Sequence, residues 1–483
     1  MRTMIRSIVA LATAALLVSS WAGPARGASA EVEELKKQVR MLQQRLEQME
    51  QREKERAAAP PARAGETPAG GALATTPAGT VPAGAEPAIT GEASNVKDRA
   101  SLRDDQQAAP RPGDLTLDPK YRGFTRIPNT QVLIKFNAKP RTDVTLDTEN
   151  AGDDNRFVTA KIPVTGQSDK GGDPRFNINA KGSQLRIDVR APEIAGAPRF
   201  YYENDFYGSG GGEFPYRIRH LYGQYYNIIV GQTYSIFEDP DVWPDTVDYE
   251  GPNSAIFARR PLVRYLQPLG KEWQLNFGIE QPESEVDLTG QPDEAKAINN
   301  APDGGVNARW ERADVGHVQL ATILRSISVD DSDHGRQSKL GWGVNASGVF
   351  DTWGNDSLQA QATYGHGLFR YSNDDFVNND AAFDHDGDLE TIPYLGLMLG
   401  YTHHWAERWR STLSGGYVNL DNTASQAGDA YHQTAYASAN VIFQYHKRLS
   451  IGFETLYGHR ETKDGSDGDV VRFTAGLVYT IFD

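Results

Sequence analysis

From about residue 121 onward, apolar and polar residues alternate along the chain with a period of two. Ile134, Phe136, Ala138, Val144 and Leu146 share one parity, while Lys135, Asn137, Lys139, Arg141, Asp143 and Asp147 share the other. The next segment repeats the pattern, with Leu185, Ile187, Val189 and Ala191 set against Gln184, Arg186, Asp188 and Arg190. Successive side chains of a strand point to opposite faces, so the pattern predicts strands with one greasy face and one charged face. The C-terminal half continues it: Leu395, Leu397, Leu399 and Tyr401 alternate with Gly396, Met398, Gly400 and Thr402, and Ile451 and Phe453 alternate with Gly452 and Glu454. A final strand sets Val471, Phe473, Leu477, Tyr479 and Ile481 against Arg472, Thr474 and Thr480.

Alternation of this kind fits a soluble sandwich, with the charged face in water, and a membrane barrel, with the apolar face in lipid. Connection lengths separate the two, because membrane barrels join strands by short turns at one end and long loops at the other. Gly354-Asn355-Asp356, Ala406-Glu407-Arg408 and His446-Lys447-Arg448 read as short turns. Phe350, Trp353, Trp405, Trp409 and Tyr445 border them as an aromatic girdle. Between them, Tyr371 to Thr391, Asp421 to Gln433 and His459 to Asp469 read as long external loops. The expectation is an all-β chain forming a transmembrane antiparallel β-barrel over 116–483.

The preceding residues divide into three. Residues 1–30 carry Arg2 and Arg6, a short apolar run from Ile8 to Val18 and the small residues Ala28-Ser29-Ala30, the layout of a secretory signal peptide. In 31–56, Val32, Val39 and Leu46 alternate at spacings of three and four with Leu35, Leu42 and Met49, which predicts an α-helical coiled coil. In a parallel assembly Glu31 would face Lys36 and Arg45 would face Glu50 of a neighbour. Residues 57–115, rich in Ala, Pro, Gly and Thr, lack the large side chains needed to offset chain entropy and read as a linker.

Composition then removes alternatives. A mean hydropathy of -0.55 argues against a bundle of membrane helices, each of which needs about 20 consecutive apolar residues. A net charge of -15 argues against a nucleic-acid partner. With no cysteine, an exported chain must be held by packing and hydrogen bonds rather than disulfides.

The stretch Gly231-Gln232-Thr233-Tyr234-Ser235, followed by Asp239-Pro240-Asp241, Tyr249-Glu250-Gly251-Pro252-Asn253 and Arg260-Pro261-Leu262-Val263-Arg264-Tyr265, resembles the DcaP-like outer-membrane porins. With the signal, coil, linker and charged early strands, the resemblance covers nearly the whole chain. It implies a homotrimer of barrels of about 16 strands in outer-membrane lipid, with the coiled coil in the periplasm. Each barrel would pass small anionic solutes such as dicarboxylates. Val and Leu at the two core positions of the coil favour two strands rather than three, so coil and resemblance differ on oligomer state.

Selectivity in a channel follows from the charges lining it. Lys135, Lys139, Arg141, Arg186, Arg190, Arg217, Arg219 and Arg264 fall on expected inward positions and form a basic wall in an acidic protein. Pairing with Asp143, Asp147, Asp188, Glu203 and Asp205 in a structural network is the other reading of the same residues. The segment Phe237 to Asn253 reads as a constriction loop whose Asp239, Asp241, Asp245 and Asp248 would oppose that wall; an external loop is the alternative.

No catalytic set, cofactor motif or metal site is expected. Asp384-His385-Asp386-Gly387-Asp388 lacks the distal Glu of a calcium loop. Gly208 to Gly212 lacks the Lys-Ser/Thr of a phosphate loop. His403 and His404 are adjacent and so point to opposite faces of a strand. Two other functions stay open: an outer-membrane barrel hydrolase, and a structural anchor whose N-terminal segment binds peptidoglycan.

Overall fold

The computed structural model describes residues 123–481 apart from 292–293, 314, 332–334 and 378. The expected signal peptide (1–30), coiled coil (31–56) and linker (57–115) lie outside the described residues. Among the described residues, twenty strands make one sheet. Leu133–Lys139 and Arg141–Asp147 are halves of one strand bent at Pro140, and Arg175–Asn179 and Gln184–Arg190 are halves of the next. Thr125–Arg126 and Lys296–Ile298 are short additions to this ladder. Sixteen successive strands remain, each antiparallel to the one before. The last, Asp467–Tyr479, pairs back onto Arg141–Asp147 with Arg472 opposite Asp147 and Val478 opposite Arg141. The ladder therefore returns to the strand it started from.

The two faces of this ring are inverted relative to a soluble protein. Phe136, Leu399 and Phe453 are 57%, 58% and 59% exposed, whereas Arg141, Asp143, Arg219, Glu454 and Arg472 are buried. Apolar side chains face out and charged ones face in, as expected where lipid replaces water as the outer solvent. The short turns fall where the pattern placed them, between Asp351 and Ser357, Ala406 and Trp409, and His446 and Leu449. Trp353, Trp405, Trp409 and Tyr445 are exposed beside them, joined by Trp273 and Tyr225 at neighbouring turns.

The expected long loop from His459 to Asp469 is instead a tight hairpin. The strands run to Thr462 and resume at Asp467, with His459 opposite Asp469 and Glu461 opposite Asp467. Gly465 turns the chain at φ 81°. These residues are polar because the strands extend past the apolar band, and polarity alone made them resemble a loop.

The connection from Tyr234 to Arg259 turns inward. Almost all of 235–258 is buried, and Ile236, Phe237, Val242, Val247 and Ile256 lose their exposed surface entirely. Glycines on the inner faces of the strands make room for it. A Cβ at Gly400 would lie 2.6 Å from Pro244 Cγ, one at Gly476 2.8 Å from Val247 Cγ1, and one at Gly416 2.2 Å from Asn253 Oδ1. The loop then packs against a second incoming segment. Phe237 and Ile256 join Leu368, Phe369, Tyr371, Ile392, Tyr394 and Tyr431 in an apolar core inside the ring.

Candidate functional site: the charged inner wall

All the cations singled out in the sequence lie on the inner face, and the strand register decides what each one meets. Lys135 stands opposite Asp188 in the ladder, and Asn137 opposite Arg186. Arg141 Nε bonds Asp143 Oδ2 at 2.7 Å. Arg186 Nε and Arg219 Nε take the two oxygens of Glu203 at 3.0 and 2.6 Å. Arg219 Nη1 and Arg217 Nη2 share Asp205 Oδ2 at 3.0 and 2.6 Å. Arg190 and Arg199 both close on Asp188. Six guanidiniums thus meet four carboxylates on this wall, with Lys139 buried on the same face. A register shift between Glu203 and Asn204 lets consecutive residues Arg219 and His220 both turn inward. Arg264 donates to the Tyr234 carbonyl.

On the opposite part of the ring the ratio is reversed at two arginines. Arg309 is bonded to Asp239 at 3.2 Å, Asp241 at 2.9 Å and Glu311 at 3.0 Å. Arg325 is bonded to Asp303 and Asp380 at 3.1 and 2.8 Å. Asp239 also receives His317 Nε2 at 2.8 Å and Ser347 Oγ at 2.7 Å. Of the four loop aspartates, Asp239 and Asp241 therefore lie across the ring from the basic wall. Asp245 holds Arg410 at 2.5 Å, and Asp248 accepts the Glu250 and Gly251 N–H groups.

One loop residue ties the inserted segment to the basic wall. The Tyr249 hydroxyl donates to Asp205 Oδ2 at 2.8 Å and accepts from Arg219 Nη1 at 2.7 Å. Its ring stacks on Tyr207 with centroids 4.8 Å apart, and the Arg141 guanidinium lies 5.1 Å from its centre. A planar cation over an aromatic face adds electrostatic attraction that survives burial. Sequence reasoning missed Tyr249, Arg199, Arg309, Arg325 and Arg410. The arginines were legible as polar members of alternating strands; a loop tyrosine carries no such signal.

Among the described residues, Asp239, Asp241 and His317 have the spacing of a metal site, as do His459, Asp467 and Asp469. In the first, Arg309 already supplies the positive charge. His403 lies beside Trp405 on one side of its strand, with ring centroids 4.3 Å apart. Asp356 takes His403 Nδ1 at 2.6 Å and the backbone N–H of His404 at 2.8 Å. Burial acts to raise this turn carboxyl, and those two donors overcome it and hold it below its usual value.

A closed ring of antiparallel strands, greasy outside and charged inside, defines a β-barrel channel of the bacterial outer membrane. Comparison with known proteins agrees. The family model of the DcaP outer membrane protein matches residues 121–479, and the chain belongs to that family. The outer membrane channel DcaP of Acinetobacter baumannii superposes with a TM-score of 0.66 at 23% identity, covering 75% of this chain and 100% of that one. An anion-selective porin from Comamonas acidovorans gives a TM-score of 0.47 at 10% identity, over 72% of this chain and 100% of the other. Outer-membrane expressed OmpT of Vibrio cholerae gives 0.45 at 13%, over 74% and 100%. No curated protein matches by sequence.

Proposed function

We propose that this outer-membrane channel is a homotrimeric porin that passes small anionic solutes, dicarboxylates among them. The observation that carries the reading is the ratio of charges on the basic wall, where Asp188 and Glu203 each hold two arginines. Each such group keeps a net positive charge inside a low-dielectric ring, where unbalanced charge acts more strongly than in water. Arginine suits carboxylates because its planar fork makes paired hydrogen bonds. The loop aspartates Asp239 and Asp241 across the ring give the lumen a transverse polarity.

Strand length supports association. Arg199–Asp205 and Ile228–Tyr234 have 7 residues, against 17 in Gly335–Asp351. Seven residues tilted by about 40° reach about 18 Å, short of an apolar band about 25 Å tall. Neighbouring copies would cover this low side, and the 31–56 coil would add to the assembly from the periplasm. The test is reconstitution of the full chain in a planar bilayer under a KCl gradient, with and without succinate. The expected result is a reversal potential of anion sign that succinate alters. A cation-selective channel indifferent to succinate overturns the reading.

A further inference from the structure

We infer that Arg260 and Arg370 form a docking station for the carboxylate of a passing solute, occupied in the resting channel by the protein's own Glu283. The inference rests on the anion-channel reading above and names a place within that channel. Arg260 lies on the inner face of Arg259–Leu269, near its long-loop end, and Arg370 in the single turn Phe369–Tyr371. Arg370 Nη2 and Arg260 Nη1 converge on one oxygen, Glu283 Oε2, at 3.0 and 3.3 Å. The cations are buried and the anion is half exposed. The Arg370 and Arg260 side chains are 0% and 17% exposed, whereas that of Glu283 is 50% exposed.

The pair is held from behind by groups that leave its charge in place. Arg370 Nη1 donates to the Glu283 carbonyl at 2.7 Å, and Arg260 Nη2 to the Arg370 carbonyl at 3.1 Å. Both guanidiniums lie 5.9 Å from the Tyr371 ring centre, and the Tyr371 hydroxyl is anchored to Glu280 and Asp303. Among the described residues neither Nε has a hydrogen-bond partner, although both are buried. Burial, then repulsion from Arg260 and Arg325, lowers the pKa of Arg370, the sign of a cation with too little negative charge beside it.

The nearby carboxylates are otherwise engaged. Asp380 holds Arg325 and the Arg370 N–H. Glu285 is raised to about 7 by burial and then by Asp380, and Asp375 is raised by burial and by repulsion from Glu285 and Asp380. Glu283 is the carboxylate placed on the solvent side of the pair. A solute carboxylate that displaces it gains two charge-assisted bonds on a preformed cradle.

The test is titration of succinate onto full-length channels in a planar bilayer, reading the concentration that half-suppresses the current, with neutral succinamide as control. Glu283→Gln is expected to lower that concentration about two- to five-fold, the scale of one partly exposed ion pair. Arg260→Gln is expected to raise it by a similar factor, and succinamide to act on neither variant. Heat-modified gel mobility shows that both variants fold. An unchanged half-suppressing concentration in both folded variants overturns the station while leaving an anion-selective channel intact. Failure of the channel reading shows separately, as a wild-type reversal potential of cation sign.

Discussion

Two parts of one ring use the same ion pairs in opposite proportions. On the wall built from 133–147, 175–190, 199–205 and 217–225, carboxylates are shared between arginines, as Asp188 is by Arg190 and Arg199. Across the ring, arginines are shared between carboxylates, as Arg309 is by Asp239, Asp241 and Glu311. Two of those three acids come from the inserted loop. The loop therefore fills part of the ring's interior and adds two acids to the Arg309 side of it. The net charge of -15 therefore says little about the inner face, because selectivity depends on the lining charges and not on the total.

The largest effect is expected where the basic wall is most deeply buried. Arg219→Glu places a third carboxylate beside Glu203 and Asp205, all three inaccessible to solvent, and removes the cation that joins them. Breaking a buried pair costs about 3–5 kcal/mol, so the heat-resistant folded band should be lost. A folded variant with wild-type melting behaviour would show that the network is not what holds this wall. The next effect falls on the seat of the loop. Gly400→Val drives a branched side chain into Pro244, an overpacking worth about 1–3 kcal/mol. The loop should shift, lowering the melting temperature and raising unit conductance; unchanged conductance would mean that the loop does not limit the pore.

The smallest effect is a pH dependence at the outer loops. The Glu285 carboxyl is raised from 4.5 to about 7, chiefly by burial and then by Asp380, so the folded loops bind more protons than unfolded ones in that window. The contact is then fully stabilised below about pH 4.5 and weakens as pH rises toward about 7. Hydrogen exchange in 281–302 and 367–392, corrected for intrinsic rate, should quicken from pH 5 to pH 8. Glu285→Gln should abolish the difference.

Much of the fold was legible because a lipid-facing strand must alternate. The quoted apolar residues that lie within strands, from Ile134 to Tyr479, fall on the outer face, and the turns at 354–356, 406–408 and 446–448 are where their flanking aromatics placed them. The inward glycines Gly400, Gly416 and Gly476 were a sign of the inserted loop that the pattern reading passed over, since glycine in a strand often marks the close approach of another backbone. Pairing was not legible. Nothing in the one-dimensional pattern says that Arg219 bridges Glu203 and Asp205 or that Asp241 meets Arg309, because those contacts depend on register shifts and on a loop path set by tertiary packing. Polarity misled at His459 to Asp469, where strands continue beyond the apolar band.

The most direct test of the central claim is the reversal potential of the wild type against Arg190→Gln/Arg217→Gln under one KCl gradient. Both residues belong to the basic wall, and Arg217 retains some exposure. The expected result is a wild type that favours chloride and a folded, conducting variant whose preference is clearly weakened. A variant that keeps the full wild-type anion preference, or a wild type that favours potassium, would contradict the account.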